Sequence, residues 1–152
     1  HASGLIGEPF TKRPNNLLPI ITQTAANLRE KITVFGSDYN TPDGTCIRDF
    51  IHVVDIAEAH IRAINFKNKN DLNYSVFNLG TGKGTTVLEI IKSFEKISGE
   101  KLNYELGPRR AGDVETIYAD NSKAKNELQW EAKLTIEDMV ATAWKWQQNM
   151  KV

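Results

Sequence analysis

Two apolar periods alternate along this chain, and that alternation limits its fold more than any other feature. Segments whose apolar residues recur three and four apart, as one face of a helix requires, are separated by short runs rich in β-branched and aromatic residues. A chain that switches repeatedly between these periods builds an α/β domain. Leu17, Ile20, Ile21, Thr24, Ala25 and Leu28 line one face of a helix over residues 16–29. Asn15 or Asn16 can cap it, and Pro19 falls in the first turn, where no amide donor is needed. Ile56, Ala59, His60, Ala63 and Ile64 mark the buried side of a second helix over 55–66, with Asp55 as its cap. Thr86 and Glu89 have capping-box spacing ahead of Val87, Ile90, Ile91, Phe94 and Ile97, which predicts a helix to Ser98. A short helix covers 122–128. Thr135 and Asp138 open a last one to about Gln148, packing Met139, Val140, Ala143 and Trp144. Between them, extended segments are expected at 31–35, at the alternating run 46–53, at 74–79 and at 102–106. A polar loop over 37–45 carries Pro42 and the turn pair Asp43-Gly44.

At 152 residues the chain suits one domain with a buried core. Its 19 basic residues balance 19 acidic ones, so no global field draws it to nucleic acid or to an anionic membrane. Any anion site must therefore be a local cluster. No apolar run approaches a membrane span, and the N-terminus lacks the layout of a signal peptide. The single Cys46 excludes an internal disulfide and suits a reducing compartment, with the cytoplasm as the expected location. The chain opens at His1 in a polar Gly/Pro loop, which reads as the interior of something longer.

Three clusters could carry chemistry. Gly80-Thr81-Gly82-Lys83-Gly84 lies between a strand and a helix, where small residues can present amides to phosphate. Neither the dinucleotide fingerprint nor the P-loop spacing is met, so a tight strand-to-helix turn is the expected role. Arg109-Arg110-Ala111-Gly112-Asp113 follows Gly107-Pro108 in a loop. Guanidinium forks suit phosphate and the aspartate suits a ribose diol, but a solvated turn with Asp113 neutralising its neighbour fits equally well. Arg48 and Asp49 should point to opposite faces of the 46–53 strand. That makes Arg48 either a second anion clamp or half of a structural ion pair. His52 and His60 have no partners at metal-ligand spacing and read as structural. Cys46 has no activating partner, and Trp130, Trp144 and Trp146 read as core and boundary residues.

Taken in order, several segments resemble the UDP-glucose 4-epimerases. They are Pro14-Asn15-Asn16-Leu17-Leu18-Pro19-Ile20, Thr33-Val34-Phe35-Gly36, Tyr39 to Thr45, and Arg48-Asp49-Phe50-Ile51-His52-Val53-Val54-Asp55. Phe77-Asn78-Leu79-Gly80, Pro108-Arg109-Arg110-Ala111-Gly112-Asp113 and Trp144-Lys145-Trp146-Gln147 complete the match, which spans nearly the whole chain. The resemblance implies the C-terminal, UDP-sugar-binding part of an extended short-chain dehydrogenase over residues 1–152. About 55–80 would return to an NAD-binding Rossmann half that this chain lacks, with the 74–79 strand left as an unpaired apolar edge. It implies that Asn16 and Leu17 face the diphosphate at a helix start and that Thr33, Val34 and Phe35 read the uracil. Arg48 and Arg110 would clamp the diphosphate, and Asp113 would take the ribose hydroxyls. Phe50 stands where the family often has Tyr, so a hydroxyl contact is lost. Ile117 aligns with the residue bordering the sugar pocket, a bulky Tyr in some members and small in others.

The family's chemistry uses NAD to oxidise the sugar at C4 and return hydride to the opposite face, with a Tyr four residues before a Lys. Tyr39, Tyr74, Tyr104 and Tyr118 are followed at that distance by Asp43, Asn78, Pro108 and Ser122. The resemblance thus implies a substrate grip without catalytic residues, inactive alone, within an enzyme expected to be a homodimer. Rival readings are an epimerase of another UDP-sugar such as UDP-N-acetylglucosamine, a related dehydratase or decarboxylase, and a non-catalytic nucleotide-sugar-binding module.

Overall fold

The computed structural model describes residues 1–12, 14–70 and 74–150. Its elements are α1 (Leu17–Ala25), β1 (Ile32–Phe35), β2 (Ile47–Arg48), α2 (Val53–Asn70), β3 (Thr85–Thr86), α3 (Val87–Ser98), β4 (Tyr104–Gly107), α4 (Ser122–Leu128) and α5 (Ile136–Asn149). β1 runs parallel to β4, with Phe35 opposite Gly107, while β2 runs antiparallel to β3. A parallel bridge joins Ile47 to Thr116. No helix among the described residues is long and apolar enough to cross a membrane.

Both expected capping boxes are present. Thr86 and Glu89 exchange side-chain and backbone bonds at the start of α3, and Thr135 and Asp138 do the same for α5. These satisfy amides that a helix start leaves unpaired. Asn16 is the N-cap of α1 but makes no capping bond; its Nδ2 donates to Glu8 Oε2 at 3.0 Å. The same helix ends earlier than its apolar spacing suggests. Asn27 adopts φ 57°, Leu28 N donates to Gln23 O at 2.9 Å, and Asn27 N donates to Thr24 O at 3.1 Å. This is a Schellman closure, with Asn in the left-handed position, and it leaves Leu28 exposed.

The principal core joins Ile21 of α1, Ile32 and Val34 of β1, Ile90, Ile91 and Phe94 of α3, Leu102 just ahead of β4, and Val140 of α5. Trp144 meets Phe94 edge-on at 5.6 Å. A second, smaller cluster gathers Ala59 of α2, Ala124 and Leu128 of α4, and Trp130. Asp55 holds that cluster together: its carbonyl accepts from Trp130 Nε1 at 3.1 Å and its carboxylate from Leu134 N at 3.0 Å. Asp55 is therefore no cap. α2 begins two residues earlier, where His52 Nδ1 accepts from Val54 N at 3.1 Å.

Three further expectations are corrected. Only residues 47–48 of the 46–53 run are strand. Residues 74–79 form no strand, because no described segment runs beside them to pair with their amides; Tyr74 and Val76 are exposed. On α2, His60 and Ile64 face outward rather than into the core, beside exposed Ile61.

Candidate functional site

The parallel register of β1 and β4 brings two loops together. Phe35 lies opposite Gly107, and Gly36 N extends the pairing with a 3.0 Å bond to Gly107 O. Residues 37–45 and 108–113 consequently leave the sheet side by side. Arg109 crosses to the first loop, with Nε 2.7 Å from Asp38 Oδ1 and Nη2 2.7 Å from Asp38 O. Its guanidinium carbon also stands 4.1 Å from the centre of the Tyr39 ring. The hydrogen bond between them lowers the Asp38 carboxyl and raises Arg109 further above its ordinary value.

Arg110 turns the other way. Its Nη2 donates to Asp113 Oδ1 at 2.8 Å, and its guanidinium lies 5.6 Å from the Phe35 ring centre. Arg48, arriving from β2, places Nη2 3.9 Å from the same carboxylate oxygen while Nη1 donates to Ile47 O at 2.8 Å. Asp113 thus neutralises Arg110, and two guanidinium groups from separate segments converge on it. The Asp113 side chain is 15% exposed and that of Arg110 62%, so the carboxylate is recessed beneath a reachable fork. Ile117 sits beside this cluster, its amide donating to Ile47 O at 3.1 Å, with 56% of its surface exposed.

On β1, Phe35 is exposed and Thr33 Oγ1 donates to Glu105 Oε1 at 3.2 Å, whereas Val34 is 1% exposed in the core. A ligand along this strand would reach Val34 through its main chain alone. Asn16, Leu17 and Phe50 fall elsewhere. They line a cavity of about 510 Å³ at the start of α1, together with His52, Thr142 and Trp146. Neither Arg48, Arg110 nor Asp113 lines that cavity, so the ten candidate residues divide into two groups joined by the chain from Arg48 to Phe50.

Asp49 does point opposite to Arg48, and its role is structural. Its carboxylate accepts from Thr81 N (2.9 Å), Thr81 Oγ1 (2.6 Å), Gly82 N (3.2 Å) and Ala119 N (3.1 Å). Burial pushes this carboxyl up, but the bonds from Thr81, Ala119 and Gly82 more than reverse that and hold it below the ordinary aspartate value. Thr81 and Gly82 of the glycine run therefore give their amides to Asp49. A Cβ at Gly80 would lie 2.2 Å from Asp49 Oδ2. Such a turn does not fit a dinucleotide pyrophosphate. Among the described residues no group of three His, Cys, Asp or Glu could hold a metal ion.

The residues missed from the sequence are Asp38, Tyr39, Asp43 and Glu115. Asp43 binds Thr45 N at 3.0 Å, Thr45 Oγ1 at 2.7 Å and the Thr86 hydroxyl, while Glu115 Oε2 accepts from Asn40 N at 3.0 Å. All but the Thr45 pair are long-range contacts without a local spacing signal.

A profile of the family described as GDP-mannose 4,6 dehydratase matches residues 1–143. The chain belongs to this family. Over 149 residues it is 50% identical to the UDP-glucose 4-epimerase of Bacillus subtilis (strain 168), covering 98% of this chain and 44% of that protein. Among solved structures it is similar to the UDP-glucose-4-epimerase from Stenotrophomonas maltophila with bound NAD and formylated UDP-arabinopyranose. The TM-score there is 0.94 at 46% identity, covering 97% of this chain and 44% of that one. The UDP-glucose 4-epimerase from Bifidobacterium longum in complex with NAD+ and UDP gives 0.89 at 46% identity, with coverages of 97% and 44%. The family member described here thus spans less than half the length of these relatives. The α/β class and the resemblance to UDP-glucose 4-epimerases read from the sequence are both borne out.

Proposed function

We propose that this chain grips the UDP-hexose of an NAD-dependent UDP-glucose 4-epimerase, whose dinucleotide site and catalytic residues lie outside it. The observation that carries the reading is the convergence of Arg48 and Arg110 on one Asp113 oxygen, at 3.9 and 2.8 Å. One carboxylate oxygen cannot saturate two guanidinium forks, and the planar donors left over suit the oxygens of a diphosphate. In this reading Asp113 accepts the ribose hydroxyls, while the exposed Phe35, Thr33 and the main chain of Val34 meet the uracil. Asn16 and Leu17 face the diphosphate from the start of α1, and Phe50 lines the same cavity. The glycine turn bound to Asp49 supports assigning NAD to another part of the enzyme. Residues 55–80 we assign to the dinucleotide domain, because Ile61 and Ile64 on α2 and Tyr74 and Val76 beyond it present apolar surface to solvent. A homodimer in the cytoplasm completes the proposal.

Titration of the chain with UDP and with uridine tests the grip. A hydrogen bond to a charged group contributes about 1.5–3 kcal/mol, and the exposure of Arg110 favours the low end, so Arg110→Ala should weaken UDP binding about tenfold and spare uridine. Equal affinity of the native chain for UDP and uridine refutes the diphosphate assignment. The chain alone should show no epimerase turnover with added NAD; measurable turnover by clean material would mean that the active site is misplaced.

A second reading concerns the sugar. Ile117 is 56% exposed beside the arginine cluster, and a β-branched side chain fills less space than a tyrosine. We infer that the complete enzyme also accepts UDP-N-acetylglucosamine. Ile117→Tyr should then suppress that substrate and spare UDP-glucose, whereas an equal loss of kcat/KM for both sugars makes Ile117 a packing residue.

A further inference from the structure

Arg109 and Arg110 are neighbours with the same side chain, yet they sit in opposite circumstances. Arg110 is the more exposed, and it pairs with Asp113 beside the Phe35 ring. Arg109 is committed: two bonds of 2.7 Å go to Asp38, one to its carboxylate and one to its carbonyl, and the guanidinium stands over Tyr39. An exposed ion pair by itself contributes little. Here, however, Tyr39 is only 6% exposed, and its ring packs so closely against Gly36 that a Cβ there would lie 2.3 Å from Tyr39 Cε2.

The loop that carries Asp38 and Tyr39 is itself fastened. Tyr39 N donates to Gly44 O at 3.0 Å, Thr41 Oγ1 to Thr45 O at 2.7 Å, and Asp43 ties Thr45 to the Thr86 cap of α3. Glu115 adds a tie from the far side of the arginine loop, accepting from Asn40 N. A firmly anchored loop therefore holds Arg109, and with it the main chain at the next residue. From there a short turn, Asp113 N to Arg110 O at 3.2 Å, sets where the Arg110–Asp113 pair stands.

We propose that Arg109 is a positioning residue: locked by Asp38 and Tyr39, it does not bind the diphosphate but places Arg110 to do so. The inference rests on the diphosphate reading above.

Asp38→Asn separates the two roles by the sign of its effect. Were Arg109 an anion ligand restrained by Asp38, neutralising that carboxylate would release it and tighten UDP binding. Removing a negative charge near any anion site pushes in that same direction. As a positioning residue Arg109 needs Asp38, so the variant should bind UDP about three- to tenfold more weakly while uridine affinity stays unchanged. Both affinities are read by NMR titration of the 152-residue chain, with Arg110→Ala and Arg109→Lys alongside. Arg109→Lys keeps the charge but loses the planar fork, and should match Asp38→Asn. Loss of folded protein would lower UDP and uridine affinity together, so uridine controls for a merely structural effect. An Asp38→Asn affinity for UDP that is unchanged or higher, a parallel loss for both ligands, or native behaviour by Arg109→Lys overturns the proposal. A native chain that binds UDP no better than uridine refutes the diphosphate reading first, and this inference falls with it.

Discussion

Asp49→Asn should destabilise the fold by about 3 kcal/mol and remove part of its acid sensitivity. The substitution keeps the shape of the side chain and replaces one oxygen with an NH2 group. Oδ1 receives Thr81 N and Thr81 Oγ1, and Oδ2 receives Gly82 N and Ala119 N, so either amide orientation sets a donor against donors. Losing the longer pair, at 3.2 and 3.1 Å, is the smaller penalty. Two hydrogen bonds to a charged group at about 1.5–3 kcal/mol each give roughly 3–6 kcal/mol, and the partial exposure of Asp49 favours the bottom of that range. Against a typical stability of about 5–15 kcal/mol for a domain, this is a large fraction. The pH dependence follows from the same bonds. Because the folded carboxyl lies below its unfolded value, its contribution is present above the unfolded pKa, near 3.9, and is lost as pH falls through the folded one. Urea denaturation of both proteins from pH 7 to pH 3 measures the difference between them. Equal midpoints at pH 7, or a gap that fails to narrow on acidification, would refute this account of the Asp49 network.

His52 is 3% exposed, and burial, reinforced by the N-terminal charge, lowers its pKa. The unfolded chain therefore takes up its proton first, and stability should decline as pH falls below about 6.5, with a shallower slope in His52→Gln; identical slopes in a denaturation series exclude the effect. Gly36→Ala combines a φ of +81° with a Cβ 2.3 Å from the buried Tyr39 ring, and should cost about 2 kcal/mol or more in the same assay. A cost near zero would show that the Tyr39 ring gives way, and would weaken the case for a rigid loop under Arg109. Phe94→Ala empties a site that is 0% exposed at the centre of the main core, and calorimetry should show a loss of about 3–5 kcal/mol.

What could be read in the sequence was what is decided within a few residues. Thr86–Glu89 and Thr135–Asp138 announced two helix starts because a capping box closes over three residues, and both are present. The 122–128 helix also stands where the spacing put it. Partners distant along the chain decided the failures. Asp55 had the local look of a cap, but Leu134 N and Trp130 Nε1 claim it from 79 and 75 residues away. His60 and Ile64 followed the apolar period of α2, yet the small second cluster covers only part of that helix. Residues 74–79 had strand composition, but composition supplies no partner for the amides.

The arginine loop makes the same point where function is at stake. Nothing in the composition of Gly107-Pro108-Arg109-Arg110 distinguishes one arginine from the other, and only the resemblance to the epimerases singled out Arg110. The distinction arises from register: pairing Phe35 with Gly107 sets Asp38 and Tyr39 beside residue 109 and leaves residue 110 facing Asp113 and Arg48. A shift of one residue would turn the β4 side chains to the opposite face and deliver the other arginine to Asp38. That register is held by what is buried around it. Val34 lies in the core between α1, α3 and α5, and a Cβ at Gly107 would lie 2.9 Å from Thr33 Cγ2, so a larger residue there would crowd the Thr33 side chain. Which guanidinium pairs with Asp38 and which with Asp113 is thus decided by packing around the sheet, several residues from either arginine, and not by the local composition of the loop.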